Sequence, residues 1–118
     1  MALPWVRLDT SMPDHPKILD LIDSGKDGRG AAFVWVCSLA YSGKHGTDGF
    51  ISRSALGRCN GRSVDARLLV EAGLWVDEGG VGWTIAGWSD EQESTKETQA
   101  RSERARQAAF KRWGKEPT

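Results

Sequence analysis

Four arginines, Arg53, Arg58, Arg62 and Arg67, stand close together in the middle of the chain, with Asn60 and Ser63 among them. A guanidinium carries planar donors that match phosphate oxygens and the acceptor edges of bases. Ser63 sits at the start of a helical run from Arg62 to Ala72 that stops at Gly73. The free backbone N–H groups of such a helix start attract anions, and a serine suits it as a cap. Leu68 and Leu69 are expected to face inward, and Val70 to be partly exposed. Arg62 and Arg67 leave that apolar face, so they are the residues expected to touch bases or phosphates. Asp65 and Glu71 on the same run would repel phosphate, which keeps a solvated polar face as the alternative.

The other reactive side chains form no catalytic pattern. His15 and His45 lie in turns with no serine or cysteine in a nucleophile motif beside them. Cys37 and Cys59 are in no C-x-x-C pair and at no metal-ligand spacing from a histidine, so they read as reduced structural thiols. Gly25 to Gly30 is glycine-rich without the spacing of a phosphate-binding loop. Asp9, Asp14, Asp20 and Asp23 read as solvated charges and caps. The expectation is a protein that is not an enzyme and uses neither metal nor cofactor.

The 118 residues suffice for one core. Six tryptophans are available to fill it, and Trp5, Trp35, Trp75, Trp83 and Trp88 are the expected core members. Net charge is zero but unevenly spread. Residues 1–92 hold nine Lys and Arg against twelve Asp and Glu, whereas residues 93–118 hold seven against four. The basic excess therefore lies in the tail, on Arg101, Arg104, Arg106, Lys111, Arg112 and Lys115. Such a segment either tracks a phosphate backbone or simply stays solvated. The chain has neither a membrane-spanning apolar run nor a secretory signal, so a cytoplasmic setting is expected, nucleoid-associated if DNA is bound.

These residues need elements to hold them. Trp5 to Asp9 reads as a brief strand, and Pro16 as the first turn of a helix carrying Ile18, Leu21 and Ile22 and ending near Ser24-Gly25. Ala31 to Ser42 reads as a central helix with Phe33, Val36, Cys37, Ala40 and Tyr41 on its buried stripe, widened by Val34, Trp35 and Leu39. After the Thr47-Asp48-Gly49 turn comes the apolar pair Phe50-Ile51. Ser52 starts a short helix that Asn60-Gly61 stops by taking the left-handed conformation. Leu74 to Val76 and Trp83 to Ile85 flank Asp77 to Gly82 as a β-hairpin. Ser89 with Gln92 resembles a capping box opening a C-terminal helix with a thin apolar side of Ala105, Ala109 and Trp113, and Ala105, Phe110 and Trp113 are the residues for packing on a second copy.

That order is the order of a winged helix-turn-helix. The segments Trp5-Val6-Arg7-Leu8-Asp9-Thr10, Pro13-Asp14-His15-Pro16-Lys17, Thr47-Asp48-Gly49-Phe50-Ile51 and Leu69-Val70-Glu71-Ala72-Gly73-Leu74-Trp75, closed by an arginine-studded helix, carry a resemblance. They resemble actinobacterial phage and prophage proteins similar to the N-terminal winged-helix part of phage replication-initiation or replisome-organiser proteins. The resemblance implies a mainly α (α+β) fold, with residues 1–88 as the winged domain and 89–118 as a basic helical tail. It implies a double-stranded DNA-binding protein of replication initiation or transcriptional control. The expected DNA contacts are Arg53, Arg58, Asn60, Arg62, Ser63, Arg67, Arg106, Lys111 and Arg112. The acidic hairpin tip, Asp77-Glu78, departs from a phosphate-gripping wing and keeps a second reading open, a protein-interaction module that is an adaptor or inhibitor of a host or phage protein.

Overall fold

The computed structural model describes residues 2–90, 92, 104, 107, 108 and 111. It is an α+β structure in which helices pack on a small antiparallel sheet. A 3₁₀ turn at Met12–Asp14 leads into α1, Pro16–Asp23. Pro16 occupies the first turn, where its missing N–H is no loss. The His15 ring caps this start by accepting the Lys17 backbone N–H at 3.1 Å. Ile18 and Leu21 are buried, and Ser24 ends the helix with its hydroxyl on the Leu21 carbonyl.

The central helix α2, Gly28–His45, is longer than its sequence pattern suggests, and it faces the other way. Phe33, Val36 and Ala40 are exposed, with Cys37 and Tyr41 half-buried, whereas Ala31, Val34, Ser38, Leu39 and Ser42 form the buried side. Close approach selects small residues on that side. A methyl group on Gly28 would strike the Leu21 carbonyl, and one on Gly43 would strike the Val6 side chain. The two serines are tolerated because Ser38 donates to the Trp35 carbonyl at 2.6 Å, while the Ser42 hydroxyl meets Thr47 and accepts the Gly49 N–H. Gly49, at φ 89°, passes so near Trp88 that a Cβ there would lie 2.8 Å from the indole side chain.

The sheet order is β1-β3-β2, with β1 Phe50–Ser52, β2 Trp75–Asp77 and β3 Gly82–Ile85. Ile51 pairs with Trp83 and Trp75 with Ile85, so these four side chains share the inward face. Between β1 and β2 lie a 3₁₀ helix, Arg53–Cys59, and α3, Ser63–Glu71. Asn60 joins them at φ 61°, ψ 26°, the left-handed stop expected of Asn60-Gly61. Leu69 is buried, with Leu68 and Val70 packed half-buried against the same core.

Several local expectations are corrected. Residues 5–9 form no strand. At Arg7 the backbone meets a side chain: the Gln92 carboxamide accepts the Arg7 N–H at 3.1 Å and donates to the Arg7 carbonyl at 3.2 Å, imitating one rung of a ladder. Gln92 is therefore spent on Arg7, and helical residues begin at 88, which puts Ser89 inside that turn and not at its cap. Trp5 is 54% exposed and leaves the core to Trp75 and Trp88, with Trp35 and Trp83 partly buried against them.

Both cysteines are free, Cys37 half-buried and Cys59 buried. Burial, with a smaller contribution from the neighbouring Cys37 thiol, pushes the Cys59 pKa up to about 11. The native state thus holds the Cys59 proton more tightly than an unfolded chain, whose thiol titrates near 9.0. Its stabilising share is complete below pH 9 and is lost as pH rises towards 11, at about 1.4 kcal/mol per pH unit. Denaturant titrations across that window should show the decline in the parent chain and a flatter profile in Cys59→Ala. A thiol reagent at neutral pH should label Cys37 and spare Cys59 until the chain unfolds.

Candidate nucleic-acid interface

The cap of α3 stands one residue before Ser63. Arg62 is its N-cap, in extended backbone at φ −115°, ψ 164°, and Ser63 is the first helical residue, exposed, with no capping bond. The cap is supplied by Asp65 from three residues on. Its Oδ2 accepts the Arg62 backbone N–H at 2.8 Å, which satisfies a donor that the helix start otherwise leaves open. The same carboxylate takes the Arg62 side chain, Oδ2 from Nε at 3.1 Å and Oδ1 from Nη2 at 3.2 Å. Asp65 is 1% exposed, so it is a buried structural anion and not the outward phosphate-repelling charge expected of it.

Arg62 reaches a second carboxylate. Its Nη2 lies 3.3 Å from Asp27 Oδ1, just before α2, which ties the starts of α2 and α3 together. These bonds, that to Asp65 first, raise the Arg62 pKa above its ordinary value. Its side chain remains 61% exposed, so the guanidinium keeps an open side while its donors are largely committed within the protein.

The remaining sequence candidates separate into three groups. Arg53 Nη1 donates to the Gly80 carbonyl at 3.1 Å, holding the hairpin tip, where the Asp77 carboxylate accepts the Gly80 N–H at 3.3 Å. It is a fastener of the hairpin. Arg58, Asn60, Ser63 and Arg67 are exposed around the turn and along the outward side of α3. Arg67 pairs with Glu71 at 3.5 Å one turn on, with both side chains about 60% exposed, so this pair gives way readily to another anion. Arg58 makes no ion pair or hydrogen bond with any described residue, and Asn60 Nδ2 donates to the Cys37 sulfur at 3.6 Å. In the tail, Lys111 is exposed and helical, while Arg106 and Arg112 lie outside the described residues.

The role of Asp27 and Asp65 was missed in the sequence. A signal was present for Asp65, an acid three residues after the helix start, in the place of a capping box. None was present for Asp27, 35 residues away.

Elsewhere, a cleft of about 370 Å³ opens beneath residues 7–12, with Trp35, Leu39, Ile85 and Trp88 in its walls. Arg7 and Lys17 are opposed there by Asp9 and Asp90, a mixed set that favours neither sign of ligand. Among the described residues, no cluster of His, Cys, Asp and Glu has the makings of a metal site, and no helix is long and apolar enough to cross a membrane. No family model matches the chain, and comparison with curated proteins and with solved structures found no match.

Proposed function

We propose that this chain is a winged helix-turn-helix protein of phage or prophage type that binds double-stranded DNA through α3, in replication initiation or transcriptional control. The observation that carries the reading is the outward row Ser63 and Arg67 on the helix that follows the Asn60 turn, with Arg58 unpaired among described residues just before it. In this arrangement α3 lies in the major groove, Arg67 exchanges Glu71 for a phosphate or a base edge, and Ser63 and the N-terminal N–H groups hold the backbone. Helix order, the β1-β3-β2 sheet and the resemblance of the sequence to phage replication proteins support it. The hairpin plays no gripping part, because its tip bears Asp77 and Glu78 and is held by Arg53.

Fluorescence anisotropy with labelled duplexes over a salt series tests the proposal. Each neutralised phosphate contributes about −0.9 to the slope of log K against log salt, so Arg58→Ala with Arg67→Ala should flatten it by about 2. Asp27→Asn, which releases one bond of Arg62 and removes a negative charge beside α3, should strengthen binding. Absence of binding to any duplex at low salt removes the reading. A protein-interaction module is the second reading, favoured by the exposed Phe33 and the acidic hairpin. A stoichiometric protein partner retained after nuclease treatment, without duplex binding, decides for it.

A further inference from the structure

The outward face of α2 carries apolar side chains in a row between two cations. Arg29, Phe33, Val36, Ala40 and Lys44 are all exposed and recur at the spacing of a single helix face, over about 22 Å. Phe33 is 59% exposed, and with Val36 and Ala40 it makes an apolar strip outside the core formed by the described residues. A cation stands at each end of that strip, and α2 contains no Asp or Glu. Arg29 is the more telling of the two. It stands in the first turn, at the positive end of the helix dipole, where a cation opposes helix stability, and neither it nor Lys44 forms an ion pair with a described residue. The strip borders α3, since Cys37 touches Asn60 and Gly30 lies against Arg62 and Asp65.

Charge selects the occupant. A second copy laid antiparallel would set Arg29 against the partner's Lys44, and one laid parallel would set like on like. The tail, with seven basic against four acidic residues, is also repelled. We infer that the outward face of α2 docks an amphipathic helix of another protein whose apolar stripe is flanked by carboxylates. Phe33 and Val36 fill the spaces between its side chains, the small Ala40 lets the two helix axes approach, and Arg29 and Lys44 pair with its acids. This surface is separate from the outward row of α3 and does not depend on DNA binding.

The test uses the full chain and two labelled 18-residue helical peptides, each with a Leu and Ala stripe, one flanked by Glu and the other by Lys. Anisotropy should show the Glu peptide binding at least about tenfold more tightly than the Lys peptide. Phe33→Ser and, separately, Arg29→Gln with Lys44→Gln should each weaken the Glu peptide by about tenfold or more. Both variants alter exposed side chains, and an unchanged circular dichroism spectrum and urea midpoint would show that the fold is intact. Equal binding of the two peptides, no binding of either, or indifference to Phe33→Ser overturns the inference. So does a dimer in sedimentation velocity that Phe33→Ser dissolves, which would give the face to a second copy.

Discussion

Replacing Trp75 with alanine should remove about 3–5 kcal/mol of stability, enough to unfold much of the population of a domain this size. Trp75 is 1% exposed at the start of β2. It faces Ile85 across the sheet, and its ring centroid lies 5.4 Å from that of Trp83. Its loss would open a void between the sheet and the helices where the backbone has no room to collapse. Phenylalanine at the same place should behave differently. The indole N–H of Trp75 is buried without a hydrogen-bond partner among the described residues, so the substitution discards an unsatisfied donor along with some apolar area. The two effects oppose each other, and Trp75→Phe should cost about 1 kcal/mol or less. Urea unfolding of the two variants checks both, and an alanine variant as stable as the phenylalanine one would contradict the packing described.

The second large effect is expected at Asp65. Its carboxylate caps α3 and holds the Arg62 side chain from a fully buried position. Asp65→Ala should lower stability by about 2–4 kcal/mol, of which the lost cap supplies about 1. In a thermal melt that is a drop of about 10–20 °C. Asp27→Ala breaks only the outer, solvent-reached half of the same network and should move the midpoint far less. If the two aspartates melt alike, the hierarchy of inner cap and outer brace is wrong.

What could be read in the sequence was local. Pro16 after His15 marked the start of α1, Asn60-Gly61 marked the stop before α3, and the glycines after Asp77 marked the hairpin; each is a constraint on a few consecutive dihedral angles. The orientation of α2 was not legible. Phe33, Val36 and Tyr41 are the residues a hydrophobic stripe would recruit, but the distance between packed backbones decided for Ala31, Ser38 and Ser42 instead. The candidate interface was legible as a segment and not as a set of free charges. Arg67 and Arg58 stay available, whereas Arg62 is held by one carboxylate close in sequence and another far away, and Arg53 by a carbonyl across the hairpin.

The bond between Gln92 and Arg7 joins residues 85 positions apart. On the ribosome, where the chain emerges from its amino end, Arg7 therefore waits for nearly the whole domain to be synthesised before its backbone is paired. Closing so long a loop is slow and comes late, so the nascent domain should pass through a form in which helices and hairpin have assembled and Leu3 is already bonded to the Gly43 carbonyl, while the Arg7–Gln92 bond is still to form. A protease site placed just after Arg7 would be cut in stalled chains that stop short of residue 92 and cut more slowly in longer ones.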